Sequence, residues 1–276
     1  MARRILHHTP GGYKEMKHVS SMVRYLVIFL ALTLFAAGCA TAPVTGRSQL
    51  LLVPEQQEIA LGLEAYQQIL AQEKISQDPQ INAMVKRVGS RIAAVSGQTD
   101  YNWEFTVIQD DETANAFALP GGKVAVYTGL LPYTKTESGL AFVMAHEVGH
   151  AIARHGGERM SQQLLLQLGQ QGLNAAIANK SPTAIQALNL GYGIAGTVGV
   201  VLPFSRRQEY EADQIGLVLM AKAGYDPREA AGFFQRMMSA SDKPSPPEFL
   251  STHPADQARI EAINRMIPEA MQYYRK

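Results

Sequence analysis

Apolar residues recur at three- and four-residue steps through PEQQEIALGLEAYQQILAQE, at Ile59, Leu63, Tyr66 and Leu70. That spacing predicts a helix opened by Pro54 with one buried stripe. A second helix is expected from the Asp78–Pro79 cap pair through Ile81, Val85, Val88 and Ile92 to Gly97. Residues 103–109 (WEFTVIQ) alternate as a strand does, Pro120, Gly121 and Gly122 signal a turn, and residues 124–131 (VAVYTGLL) read as a second strand. From Glu137 the period is helical. After Pro203 the chain reads as helices broken at residues 224–227 and 244–247, with a last one over 254–267. The expected class is α+β, mostly helical, with a small sheet and no internal repeat.

The N-terminal pattern is of another kind. Residues 25–37 (YLVIFLALTLFAA) form an apolar run with Thr33 as its only polar member, preceded by Lys17 and Arg24. Thirteen helical residues rise about 20 Å, short of the roughly 30 Å hydrocarbon thickness, so the run is read as a signal-peptide core rather than a membrane span. Ala36, Ala37 and Gly38 before Cys39 resemble a lipobox, with Cys39 as the lipidation site. Ala40 stands where lipoproteins kept in the inner membrane have Asp, which points to the bacterial outer membrane, facing the periplasm. The expected layout is a lipoprotein signal peptide over 1–38, a lipidated tether over 39–53 containing Pro43 and Gly46, and one folded domain over 54–276 that carries the chemistry.

Composition narrows the partners. Of 276 residues, 46% are hydrophobic and 18% charged, so the chain should fold. Its 25 basic and 24 acidic residues give no electrostatic reason to expect nucleic acid. Cys39 is the only cysteine, which excludes an internal disulfide framework and Cys-ligated zinc.

The chemistry concentrates in AFVMAHEVGHAIARHGG. His146, Glu147 and His150 form H-E-x-x-H, which places two imidazoles on one helical face as ligands for a single Zn²⁺. Glu147, one residue round, is placed to take a proton from water activated by the metal. The neighbours Phe142, Val143, Ala145, Val148, Ala151 and Ile152 are apolar, and ionisable groups in so apolar a helix are costly unless a metal uses them. The metzincin pattern fails, because Ala153 and Gly156 stand where it needs Gly and His. His155 is read as a helix-end histidine facing the C-terminal dipole before a Gly156–Gly157 cap. A carboxylate from a later helix remains. Glu209 and Asp213, four apart in PFSRRQEYEADQIG, share a face, one to bind metal and one to orient a ligating imidazole, while Glu211 points elsewhere.

HEVGH at 146–150, SRRQEYEAD at 205–213, NAFALPGGKVAVYTGLL at 115–131 and STHPADQARI at 251–260 occur in one order. Together they resemble the gluzincin metalloproteases related to the CAAX prenyl protease and HtpX, most of all the periplasmic lipoprotein members and the mitochondrial Oma-type core. The likeness spans about residues 75–268. It implies His146, His150 and Glu209 as zinc ligands, Glu147 as general base and Asp213 as the residue behind a ligand. His253 matches a histidine that caps zinc in a latent state. Arg259 matches an arginine near the site, and His253 or Arg259 could also donate to an oxyanion. Asn115, Ala116, Phe117, Val124 and Val126 fall in the strand that accepts an extended substrate.

Residues 184–204 are apolar and nearly long enough to cross a bilayer, but Gly191, Gly193, Gly196 and Gly199 favour a mobile flap or buried helix beside the site. The function implied is a zinc endopeptidase acting on unfolded or misassembled cell-envelope proteins and held to the membrane through Cys39. The alternative is a chaperone-like assembly lipoprotein with a latent, His-capped zinc site.

Overall fold

The computed structural model describes residues 39–197, 201–240 and 247–275. The expected leader, residues 1–38, and the Cys39 side chain lie outside the described residues. The chain divides into units of residues 1–40 and 41–276, and the second carries the fold described below.

Short strands β1 (Cys39–Thr41) and β2 (Ser48–Leu50) flank a turn in which Ala42 N–H donates to Arg47 O. The stretch expected to be a tether is docked instead. Ala42 and Gln49 are buried, Leu52 N–H donates to Ser161 Oγ at 2.8 Å, and the Arg47 guanidinium pairs with Glu158 and Glu211.

Helix α1 (Glu55–Gln72) follows Pro54 as expected and buries Tyr66 as its stripe predicts, but the two turns before Tyr66 are shifted by one position. Glu58, Gly62 and Tyr66 form the buried face, and Leu63 is 41% exposed. Gly62 sets this rotation, since a Cβ there would stand 2.6 Å from the Pro120 carbonyl oxygen, and Arg154 draws Glu58 inward with Nε donating to Oε2 at 3.2 Å. Helix α2 (Pro79–Val95) is capped as the sequence predicts, Asp78 Oδ1 accepting from the Gln80 and Ile81 amides, with Val85, Val88 and Ile92 fully buried.

A three-stranded sheet follows, in the order β3 (Glu104–Ile108), β5 (Lys123–Tyr127), β4 (Ala116–Leu119). β3 is parallel to β5, with Val107 opposite Val126; β4 is antiparallel, with Ala116 opposite Val126. Gly121 and Gly122 make the β4–β5 turn with φ of +84° and +86°, a conformation that favours glycine. β5 is the central strand, bonded on both sides, and Val124 and Val126 are fully buried. Neither valine therefore borders a free edge, which corrects their expected place in the substrate-accepting strand. β5 is also shorter than expected, passing at Thr128 into a 3-10 turn and the short helix α3 (Leu131–Thr134).

Helix α4 (Glu137–Ile152) starts at Thr136, whose hydroxyl accepts from the Gly139 amide, and every residue from Gly139 to Ile152 is buried. Arg154 then takes a left-handed conformation, φ +55°, held by Glu58 and by the Val53 carbonyl, and the chain restarts as α5 (His155–Ile177). Gly156 and Gly157 thus lie inside a helix rather than capping one. α6 (Pro182–Gly196) packs back on α5 through Tyr192 Oη to Leu166 O and Gln170 Nε2 to Asn189 Oδ1. It is largely exposed, Leu190 and Ile194 included, so the expected buried helix is not found, and no described helix is long and apolar enough to cross a membrane.

α7 (Leu202–Lys222) lies against α4, and two glycines set their separation. A Cβ at Gly216 would stand 3.0 Å from the His146 amide nitrogen, and one at Gly149 3.1 Å from the Ala212 carbonyl oxygen. α8 (Glu229–Met238), α9 (Glu248–Thr252) and α10 (Gln257–Ala270) close the fold. Phe142, Phe233, Phe234 and Phe249 form an aromatic floor with ring centroids 5.5–6.5 Å apart.

Candidate metal centre

One turn apart on α4, His146 and His150 bring their Nε2 atoms to 3.1 Å. Glu209 enters from α7, its Oε2 3.4 Å from His146 Nε2 and its Oε1 3.4 Å from His150 Nε2. At the end of α9, His253 points Nδ1 inward, 3.2 Å from His146 Nε2 and 3.0 Å from Glu209 Oε2. All four residues are buried, and one donor atom from each lies within 4.8 Å of the others. A tetrahedral ion with bonds of about 2.0–2.1 Å holds its donors about 3.3 Å apart, so these separations fit a metal, and a His–Glu set fits zinc. The ligands expected from the sequence, His146, His150 and Glu209, are brought together, with His253 as a fourth donor.

Neighbouring groups fix which ring nitrogens are bare. Asp213 Oδ1 lies 2.9 Å from His146 Nδ1. A carboxylate only accepts, so the proton sits on Nδ1 and Nε2 faces the donors. Arg259 holds Asp213 in turn, Nε to Oδ2 at 2.7 Å and Nη2 to Oδ1 at 2.9 Å, while its Nη1 reaches Pro254 O at 2.9 Å and Glu209 Oε2 at 3.0 Å. With every guanidinium nitrogen engaged and the side chain 3% exposed, Arg259 is committed to Asp213, Glu209 and Pro254 rather than turned to an oxyanion. Its expected catalytic role is corrected to that of holding Asp213 and Glu209. Glu147 sits one position round the helix from His146, with Oε1 3.2 Å from His253 Nε2.

Burial opposes a charge on His146, yet the facing Asp213 and Glu209 outweigh it and push the imidazole up to about 9. Burial also works against the Glu209 carboxylate, but contacts from His146, His150 and His253 hold it well below the usual range. His150 is pushed well down by burial, and burial raises Glu147, as a proton acceptor in an apolar wall requires.

Asn115 does not act as a free edge residue. Its Oδ1 accepts from the Ala116 amide and its Nδ2 donates to Glu248 Oε1, while Phe249 N–H donates to Ala114 O, so the start of β4 is tied to the helix that carries His253. A cavity of about 170 Å³ opens beside Glu209 and Arg259, lined also by Arg206, Tyr210 and Asp256.

Sequence reasoning missed the groups behind His150. His155, expected at a helix end facing the dipole, is fully buried with Nδ1 2.8 Å from His150 Nδ1 and Nε2 3.1 Å from Glu211 Oε2. Its sequence neighbours, Arg154, Gly156, Gly157 and Glu158, carry no signal of that place.

A buried H-E-x-x-H helix, a ligating glutamate on a following helix and a small adjoining sheet define a gluzincin-type metallopeptidase fold. The chain belongs to Peptidase family M48, whose sequence profile matches residues 79–267. It is 37% identical over 235 residues to the mitochondrial metalloendopeptidase OMA1 of Schizosaccharomyces pombe, covering 83% of this chain and 66% of that one. To the OMA1 metalloendopeptidase of Bos taurus it is 35% identical over 286 residues, 95% of this chain and 54% of that one. The β-barrel assembly-enhancing protease of Escherichia coli K12 is 30% identical over 261 residues, 92% and 53% of the respective chains. The chain thus spans between about half and two thirds of the length of these relatives. The OMA1 relatives are named as mitochondrial, which contradicts the expected outer-membrane location facing the periplasm, and that expectation is withdrawn.

Proposed function

We propose that this chain is a zinc-dependent endopeptidase whose substrates are unfolded or misassembled proteins. The observation that carries the reading is the convergence of His146, His150, Glu209 and His253 at ligand spacing with Glu147 beside them. When bound, zinc supplies a Lewis acid that polarises a peptide carbonyl and acidifies a water. Glu147 accepts a proton from the attacking water on its carboxylate and returns it to the departing amine. Asp213 and Arg259 keep the imidazole of His146 in the tautomer that the donor set needs.

Substrate class follows from β4. Among the described residues no strand pairs with its outer side, and the bond from Tyr127 N–H to Asn115 O sets the parity so that the backbone groups of Ala116 and Ala118 turn toward that side, the Ala116 amide being held by Asn115 Oδ1. An extended chain adding there is recognised through its backbone, which suits unfolded polypeptide. The name of the E. coli relative, a β-barrel assembly-enhancing protease, supports misassembled proteins among the substrates. Membrane attachment through a lipid on Cys39 remains part of the proposal, supported by the pattern of residues 25–39, and membrane extraction of a Cys39→Ser protein tests it.

Replacing Glu147 by Gln tests the reading. Cleavage of an unfolded casein should fall about 10²–10⁴-fold with zinc retained; undiminished cleavage would remove the protease assignment. One observation favours a latent resting state, also compatible with the chaperone-like alternative: His253 itself fills the fourth donor place. His253→Ala then raises basal cleavage, whereas a fall would mark His253 as a group acting on the oxyanion.

A further inference from the structure

Behind His150, on the side away from the donors, runs a chain of buried polar side chains that the reaction described above does not use. His155 Nδ1 lies 2.8 Å from His150 Nδ1, and His155 Nε2 lies 3.1 Å from Glu211 Oε2. Glu211 also accepts from Arg47 Nε at 2.5 Å and from the Thr45 hydroxyl. The other guanidinium nitrogens of Arg47 reach Glu158 at 2.8 Å each, and Gln208 Nε2 donates to Glu158 at 2.8 Å. His155 is fully buried, Glu158 and Glu211 nearly so, and the Arg47 side chain is 11% exposed.

We propose that His155, Glu211 and Arg47 are positioning residues for the metal ligand His150, forming a relay that fixes its tautomer and ring orientation from the segment before α1. The inference rests on the zinc reading of the site. The logic is one of donors and acceptors. A carboxylate offers no proton, so Glu211 requires the proton of His155 on Nε2. His155 Nδ1 is then a bare acceptor, and the atom it faces, His150 Nδ1, must carry a proton. That leaves His150 Nε2 bare, toward Glu209 and the metal. Reversing either imidazole would set a lone pair against a carboxylate or a proton against the ion. Metal-bound histidines commonly donate their second N–H to a carboxylate, carbonyl or water; here a second imidazole intervenes, and Glu211 with Arg47 determines what that imidazole can accept. A network that only filled the core would satisfy its own donors and acceptors. This one terminates on the back of a ligand.

The test measures zinc affinity of the full chain by competition with a chromophoric chelator, alongside melting of the metal-free protein. His155→Phe should raise the zinc Kd about 10–100-fold. Glu211→Gln should raise it less, and the double variant should be no worse than His155→Phe, because both changes break one relay. Arg47→Met, at the exposed end, should raise Kd several-fold in the wild-type background and not in Glu211→Gln, which keeps the test decisive if His155→Phe does not fold. Ile92→Val removes a buried methyl from α2, which carries none of the four ligands, and it should lower the melting temperature without moving Kd. An unchanged Kd in folded His155→Phe and Arg47→Met, additive effects in the double variant, or an equal rise in Ile92→Val would each overturn the relay. A wild-type chain that binds no zinc would instead overturn the metal reading beneath it.

Discussion

Asp213 Oδ1 stands 2.9 Å from His146 Nδ1 while both Asp213 oxygens accept from Arg259, so one fully buried carboxylate serves a ligand on α4 and a cation on α10. Asp213→Ala should weaken zinc binding about 10–100-fold. It should also destabilise the metal-free protein by about 3–5 kcal/mol, because Arg259 is left buried without its partner. Chelator competition and thermal melts read the two effects separately, and a variant that melts earlier while binding zinc normally would refute the orienting role.

Zinc uptake should depend on pH through His146. Burial favours the neutral ring, but Asp213 and Glu209 prevail and raise it from 6.5 to about 9. A group raised on folding contributes stability in full below its unfolded value and loses it as pH climbs through the folded one. The metal-free protein should therefore lose this contribution between about pH 6.5 and 9. Zinc must expel the same proton, so its affinity should increase over that interval. Titrations at pH 7, 8 and 9 showing constant affinity would contradict this.

Two glycine substitutions should act in opposite directions. Gly216→Ala sets a Cβ 3.0–3.2 Å from backbone atoms of His146 and Ala145, which cannot yield as a flexible side chain would. It should cost about 1–3 kcal/mol and weaken zinc binding by separating α7 from α4. Gly156, inside α5, has no neighbour within 4 Å of an added Cβ, so Gly156→Ala should stabilise by about 0.5–1 kcal/mol. Thermal melts decide both.

At the sheet edge, Ala118→Pro removes an amide on the side of β4 away from β5, where proline is tolerated. Cleavage of an unfolded protein should show a raised KM while zinc affinity is unchanged. A KM equal to wild type would exclude β4 as the substrate strand.

The H-E-x-x-H helix, the Asp78 cap and the later Glu209–Asp213 pair were legible because each is a local spacing on one helix. The stripe of α1 was misread because its buried face is chosen by partners far away, Pro120 against Gly62 and Arg154 against Glu58. His155 was misread for a related reason. Periodicity gives no sign that Arg154 breaks the helix at φ +55° and turns the next imidazole onto the back of His150. Val124 and Val126 look like any alternating strand, and only the order β3–β5–β4 shows them to be central. Arg259 was placed near the site, but the engagement of all three of its guanidinium nitrogens is a property of assembled geometry.

The donor set also bears on chain topology. Its contacts join residues 107 apart, His146 to His253, and 44 apart, Glu209 to His253. An ion bound by all four closes these loops together, much as cross-links would, and loop closure restricts the unfolded chain more as loops lengthen. In a sequence whose single cysteine cannot form an internal disulfide, the metal centre would thus double as the covalent-like clasp that ties α4, α7 and the end of α9 together.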